Sequence, residues 1–87
     1  MKLVYCRKCQ DIFKIGNRRK KYCQCGLSYG RCVDKIKVII GGEYAVPVGI
    51  YNPSFVLALA ARPKKGRGVD FKAFVIPEEC ENVKILR

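Results

Sequence analysis

Four cysteines stand as two close pairs in the first third of the chain, Cys6-x-x-Cys9 and Cys23-x-Cys25, with 13 residues between the pairs. Cysteine thiolates bind metal ions, and a tetrahedral Zn²⁺ takes four of them at about 2.3 Å. Two short cysteine turns at the tips of two hairpins can supply this set without a large core. Gly26, directly after Cys25, gives the backbone freedom that such a turn requires. The spacing predicts one structural zinc ion bound by these four cysteines.

The second pair has one intervening residue where the commonest zinc ribbon has two, and this leaves alternatives open. Cys32 or Cys80 would be the substitute for the fourth ligand. Iron also accepts four thiolates. Disulfides would need an oxidising compartment, but the first residues run into Cys6 without the apolar stretch of a signal peptide. No segment approaches the ~20 apolar residues that cross a bilayer, so we expect a cytoplasmic protein with no membrane partner.

Catalytic chemistry is poorly represented in this sequence. The chain contains no histidine, which excludes the ordinary Ser-His and Cys-His nucleophiles and the histidine-containing zinc hydrolases. The segment from Gly26 to Gly30 matches G-x-S-x-G, but that pattern requires a strand-to-helix turn in a large α/β sheet and a histidine partner. The glycines at 41–42 and 66–68 lack the Gly-Lys-Ser/Thr ending of a phosphate loop. A zinc ion with four thiolates has no open position for water, so we expect a protein without enzymatic activity.

The net charge of +11 is unevenly distributed along the chain. Residues 1–32 hold nine Lys or Arg against one Asp, whereas residues 33–87 hold nine against six acids. Four thiolates on one divalent ion would leave about +9. Such a charge favours polyanionic partners. The candidate residues for binding nucleic acid or another anion are Arg7, Lys8, Arg18, Arg19, Lys20, Lys21, Lys64, Lys65 and Arg67.

The elements that would position these residues divide the chain into two lobes. In residues 1–32, a hairpin carries the first cysteine turn, an arm from Asp11 to Tyr22 contains the densest basic run, starting at Asn17, and the second turn follows. This lobe is predicted to be a zinc ribbon. The basic run is interpreted either as a solvated loop or as a phosphate-contacting arm.

Residues 33–87 are predicted to form a small β-rich lobe. Apolar alternation over 33–40, a two-residue turn at Gly41-Gly42 and a second strand over 43–50 predict a hairpin, with Pro47 at an edge or a bulge. Ser54 would cap a short helix near 54–61 that is apolar nearly all round, and we therefore expect it to be buried or to cover a sheet rather than to lie open as a groove for a partner. A basic loop, a strand over 69–76, one helical turn over 78–82 and a final strand over 83–86 complete it. The fold class is α+β: a four-cysteine ribbon fused, as one compact unit, to a small antiparallel sheet with one helix.

A family resemblance rests on several segments of the sequence. They are Tyr22 to Arg31, which contains Cys23-Gln24-Cys25-Gly26, then Val33-Asp34, Val46 to Asn52, and Phe74 to Pro77. Over most of its length the chain resembles small zinc-ribbon proteins encoded by bacteriophages and occasionally by bacteria. The resemblance implies a setting in the cytoplasm of a host cell and an accessory role, such as binding host nucleic acid, host machinery or a defence component.

Three hypotheses for function follow from the sequence. In the first, the basic residues bind nucleic acid, and Tyr5, Tyr22 or Tyr29 stack on unpaired bases. In the second, the apolar segment from Ile36 to Ala61 binds, and inhibits or adapts, an acidic host protein, with the basic loops steering the encounter. In the third, the basic loops capture a small anionic nucleotide. Short edge strands also make a homodimer plausible.

Overall fold

The computed structural model describes residues 1–16 and 18–86; Asn17, at the start of the predicted basic run, lies outside these ranges. Within them the chain forms eight strands and one helix. The strands are β1 (Lys2–Cys6), β2 (Ile12–Lys14), β3 (Lys21–Tyr22), β4 (Tyr29–Cys32), β5 (Val38–Gly41), β6 (Ala45–Ile50), β7 (Ala73–Val75) and β8 (Val83–Leu86). The helix α1 (Asn52–Ala60) lies between β6 and β7. The α+β class and the strand-rich composition are confirmed.

The strands form two four-stranded sheets. The first sheet has the order β2-β1-β6-β7 and the second has the order β3-β4-β5-β8. Neighbouring strands are antiparallel except for β5 and β8, which are parallel. Each sheet takes two strands from residues 1–32 and two from residues 33–87. The separate antiparallel sheet predicted within residues 33–87 therefore does not form, because those strands pair with the cysteine hairpins.

The hairpin predicted around Gly41-Gly42 is also wrong. β5 pairs with β4 and β8, and β6 pairs with β1 and β7, so the chain passes from the second sheet to the first at this turn. Gly42 has φ +110, and a Cβ there would overlap the backbone carbonyl oxygen of Leu27. Only glycine fits where the backbone takes this conformation and passes so close to another segment.

The core lies between the inner faces of the two sheets. It includes Val4 and Cys6 from β1, Ile40 from β5 and Val83 from β8. Gly30 is buried on β4, where a Cβ would approach the side chain of Val4 to 2.9 Å. The absence of a side chain at Gly30 lets the two sheets pack closely at this point.

Pro47 does not lie in an edge strand or a bulge, contrary to the prediction. It occupies β6, between β1 and β7, opposite Val4. Its carbonyl accepts a hydrogen bond from the backbone N–H of Ile76 at 2.9 Å, just beyond the end of β7. In an antiparallel pair the N–H and C=O groups of a residue point to the same side of the strand, here toward β7. The ladder between β6 and β7 ends at this position, so a proline, which has no N–H to donate, is tolerated inside β6.

The predicted helix exists, but it begins earlier and lies differently than expected. It starts at Asn52 with Pro53 in the first turn, and Ser54 is inside it, where its hydroxyl donates to the carbonyl of Tyr51 at 2.7 Å. All residues of α1 are described and none is buried. The predicted burial is therefore wrong. The helix contacts the loop that follows it through an edge-to-face pair of Phe55 and Phe71, whose ring centroids are 4.9 Å apart.

Residues 61–82 contain less regular structure than the sequence predicts. The strand predicted over 69–76 is limited to β7, because residues 61–72 form an exposed loop. Residues 78–82 form bends and a turn rather than a helical turn, whereas β8 occupies the predicted range 83–86.

Within the described ranges, no helix has the length and apolar character needed to cross a membrane.

Candidate metal centre and basic surface

Four cysteine sulfur atoms converge at one end of the two sheets. Cys6 ends β1 and Cys9 lies in the turn before β2, while Cys23 follows β3 and Cys25 lies in the turn before β4. All four Sγ atoms lie within 4.8 Å of one another. The Sγ of Cys25 is 3.8 Å from that of Cys6 and 3.4 Å from that of Cys23. A tetrahedral ion with metal–sulfur bonds of about 2.3 Å requires sulfur separations of about 3.8 Å, so the four thiols can hold one metal ion.

The two cysteine turns differ in length by one residue but end in the same way. The residue after the second cysteine of each pair has positive φ, 63° at Gln10 and 78° at Gly26. The N–H of Gln10 donates to the carbonyl of Cys6 at 2.8 Å, and the N–H of Gly26 donates to the carbonyl of Cys23 at 3.0 Å. The permissive role predicted for Gly26 is confirmed, and Gln10 adopts the matching conformation without being a glycine. The shortened second pair thus still forms a closed turn.

Hydrogen-bond donors stabilise the thiolates of Cys6 and Cys23. Burial raises the pKa of Cys6, but hydrogen bonds from the Ser28 hydroxyl and from the N–H groups of Cys9 and Lys8 lower it by a larger amount. The net result is a decrease of the pKa from 9.0 to about 6. Burial also raises the pKa of Cys23, and the N–H of Ser28, 3.3 Å from its Sγ, lowers it to give a net decrease. Donors that favour the charged form are what a thiolate–metal site requires.

The pKa of Cys25 shifts in the opposite direction to those of Cys6 and Cys23. The N–H of Leu27 lowers its pKa, but desolvation and the interactions with Cys23, Cys9 and Cys6 outweigh this and raise the pKa to about 12. Four thiolates so close together repel one another, and a positive ion removes this penalty. The donor set therefore suits a cation.

Metal affinity is expected to rise with pH throughout the range from about pH 6 to pH 9. The Cys6 thiol, with a pKa of about 6, is mostly ionised from pH 7 upward, whereas the Cys25 thiol, with a pKa of about 12, must release a proton when the metal binds at any pH in this range. Each displaced proton corresponds to about a tenfold gain in affinity per pH unit, so the proton of Cys25 alone sets a gain of at least about tenfold. Competition with a chromophoric chelator at several pH values measures this gain. An affinity that stays constant above pH 7 would contradict the expectation.

The remaining cysteines lie apart from this group. Among residues 1–16 and 18–86, the metal-binding cluster contains neither Cys32 nor Cys80, both of which pack against the core. All six cysteines lie in the described ranges and are free thiols, so the disulfide alternative has no counterpart in the structure.

The position of the cluster explains what a bound metal would do for the fold. Cys6 and Cys9 belong to the β1–β2 hairpin of the first sheet, and Cys23 and Cys25 belong to the β3–β4 hairpin of the second. A single ion would join the two sheets at their ends. The metal would therefore cross-link the two sheets to each other and would also hold together the two hairpins of residues 1–32.

The predicted anion-binding residues belong to three segments of the chain. Arg7 donates from Nη2 to the carbonyl of Glu43 at 2.9 Å, and the ammonium group of Lys8 lies 5.7 Å from the ring centroid of Tyr44. Both side chains therefore contact the segment between β5 and β6. Lys64, Lys65 and Arg67 are exposed in the loop between α1 and β7, on a different part of the chain from the cysteine turns.

The basic run before the second cysteine pair is exposed and leads into the edge strand β3. The exposed residues are Arg18, Arg19, Lys20 and Lys21. Lys20 Nζ lies 4.4 Å from the ring centroid of Tyr29, and Lys21 Nζ lies 5.9 Å from that of Phe13. The carboxylate of Asp11, the one acid of residues 1–32, accepts the N–H of Gln24 at 3.1 Å.

Two cations that sequence reasoning missed lie on the second sheet. Ile39 of β5 pairs with Arg31 on the neighbouring strand β4 and with Lys84 on the other neighbouring strand, β8. The three residues therefore form one row across the sheet. Strand alternation indicates that such a row lies on one face. The two residues are far apart in the sequence and become neighbours of one strand only through the parallel pairing of β5 with β8.

Comparison with models of known protein families, with curated proteins and with solved structures finds no match to this chain.

Proposed function

We propose that this chain is a non-enzymatic, zinc-ribbon type binding protein that holds one structural Zn²⁺ and binds nucleic acid through the basic surface beside its metal centre. The observation that carries the proposal is the run of exposed cations Arg18 to Lys21, placed at the sheet edge next to the cysteine cluster. The one carboxylate of residues 1–32 is already hydrogen-bonded to Gln24. Phosphate backbones are the common partners for concentrated positive charge of this kind.

Zinc is the metal we propose because four cysteine ligands in closed hairpin turns form the usual structural zinc site. A site filled by four thiolates leaves no position for water or substrate, and this supports a structural role for the ion. The bound ion would fix the ends of both sheets and so position the strand β3 that carries Lys21.

Affinity for nucleic acid is expected to fall steeply as salt rises, because each phosphate contact releases about 0.9 counterion from duplex DNA. Replacing Arg18 and Lys21 by glutamine should reduce the slope of log affinity against log salt by about two. Fluorescence anisotropy with a labelled oligonucleotide at several salt concentrations measures this slope.

The control removes the same charge elsewhere. Lys14 in β2 and Lys72 just before β7 are exposed and lie at the first sheet, and their replacement by glutamine should leave most of the slope in place. A flat salt dependence of the parent protein would count against nucleic-acid binding, as would an equal loss in both double variants.

A second candidate function is binding of an acidic protein, favoured by the exposure of α1. Leu57 is 71% exposed and Leu59 is 54% exposed, and the exposed basic loop beginning at Arg62 follows directly. Exposed apolar side chains grouped on one helix are typical of protein contacts. Together with the resemblance to phage zinc-ribbon proteins, this supports an accessory role at a host protein.

Affinity capture from a nuclease-treated host lysate tests this second function. A bound protein should be lost on Leu59→Glu and kept on Ile12→Glu, a matched control on β2 with a side chain that is 51% exposed. Loss of every partner after nuclease treatment would argue for nucleic acid instead.

A further inference from the structure

The second sheet has an outer face that points away from the first sheet. On β4, Gly30 points inward, since a Cβ there would meet Val4 and Ile15 of the core. Alternation along the strand therefore places Tyr29 and Arg31 on the outer face. The cross-strand partner of Tyr29 on β3 is Tyr22, which lies on the same face.

Tyr22 and Tyr29 form an aromatic platform on this outer face. Their ring centroids are 5.6 Å apart at an interplanar angle of 48°. The ring of Tyr29 lies against Gly41 of β5, where a Cβ would overlap its atoms. Tyr22 is 52% exposed. Neither side chain belongs to the core, so packing between the sheets does not account for the pair.

Cations surround the platform. The ammonium group of Lys20 lies over the ring of Tyr29, held at the end of an exposed, flexible stem. Arg31 lies two residues along the strand from Tyr29, and the row that it begins ends at Lys84. Lys37 and Glu81 line the same groove as Lys84, and the carboxylate of Glu81 offsets one of the two cations there. Cations therefore extend along the face from the tyrosine pair to Lys84.

We propose that this outer face binds single-stranded nucleic acid, with bases stacked on Tyr22 and Tyr29 and the phosphate backbone contacting Lys20, Arg31 and Lys84. This inference rests on the proposed function and defines its ligand class. A base that stacks on Tyr29 takes the place of the Lys20 ammonium group, which then pairs with a neighbouring phosphate. Bases in a duplex stack on each other and expose only their edges, so an aromatic platform favours unpaired strands.

Binding of labelled oligothymidylate and of a duplex of the same length, followed by fluorescence anisotropy, tests the inference. The single strand should bind at least about tenfold more tightly than the duplex. Tyr22→Leu and Tyr29→Leu should each weaken single-strand binding by about tenfold without changing the salt slope, because stacking releases no counterions. Arg31→Gln should instead reduce the slope by about one.

Two variants serve as controls. Tyr51→Leu removes a tyrosine of equal exposure, 51%, next to α1, and should leave binding unchanged. Tyr29→Phe keeps the ring and should keep the affinity. The chain has no tryptophan, so its emission comes from tyrosine; oligothymidylate should quench this emission in the parent and quench it less in Tyr22→Leu. This readout remains decisive if Tyr29→Leu fails to fold.

The outcomes separate this inference from the proposed function. If neither single strand nor duplex binds, nucleic-acid binding as a whole is wrong. If both bind equally, and Tyr22→Leu changes neither affinity nor quenching, the platform is overturned while binding through the basic run stands.

Discussion

Replacing Cys6 by serine is expected to abolish stoichiometric metal binding and the cooperative unfolding transition. Cys6 is fully buried and its Sγ belongs to the cluster that links the two sheets. Binding of structural zinc supplies about 10–16 kcal/mol in small metal-dependent domains, whereas the net stability of a domain is only about 5–15 kcal/mol. In this variant three crowded thiols and a buried serine hydroxyl would remain, without an ion, at the junction of the sheets. Elemental analysis and thermal circular dichroism measure the two losses.

The chain contains matched controls for this experiment. Cys32 and Cys80 lie outside the cluster and pack against the core. Cys80→Ser should keep one metal ion per chain, and a strong chelator should reproduce in the parent what Cys6→Ser does. If the Cys6 variant retained one metal ion and the melting temperature of the parent, the metal centre would not be the cross-link that joins the sheets.

The substitution Gly42→Ala is expected to destabilise the fold by about 3 kcal/mol or more. The residue has φ +110, and its Cβ would overlap the carbonyl oxygen of Leu27 in the second cysteine turn. Backbone strain of this kind costs about 1–3 kcal/mol, and forced overlap in a packed region adds about 1–3 kcal/mol. The N–H of Gly42 also donates to the carbonyl of Leu86 at 2.9 Å, so a shift here disturbs β8. Urea unfolding of the metal-bound protein measures the change.

Gly66→Ala separates the two contributions to this effect. Gly66 also has positive φ, +92, but a Cβ there would meet nothing within 4 Å. Its substitution should cost only about 1 kcal/mol, the strain of the backbone alone. Equal losses in the two variants would mean that the close approach to Leu27 contributes nothing to stability.

The turn before β5 could have been predicted from Asp34, but the apolar alternation around it suggested a strand instead. The pattern Ile36, Val38, Ile40 predicts a strand from 33, but β5 begins at Val38 and Ile36 is exposed. The carboxylate of Asp34 accepts the N–H groups of Ile36 and Lys37 at 2.9 and 2.8 Å, and these donors lower its pKa. An aspartate that bonds the backbone two and three residues ahead is typical of a turn.

The sequence by itself determined the parts of this protein that depend on a few consecutive residues. The spacing Cys6-x-x-Cys9 and Cys23-x-Cys25 defines two turns, and the residue after each pair completes them through its own φ. The positions of α1 and β8 follow equally from local composition. The spacing of the cysteines therefore allowed the candidate metal ligands to be predicted, because thiol turns are short-range structures.

Only the tertiary structure decided which strands are neighbours. Val38 pairs with Val83, and Cys6 pairs with Ala45, and no local pattern specifies such partners. This pairing places the two cysteine hairpins in different sheets, leaves α1 exposed and puts Tyr22, Tyr29 and Arg31 on one face. The physical reason is that strand pairing is set by the burial of side chains far apart in the sequence, whereas alternation in one strand fixes only which residues share a face.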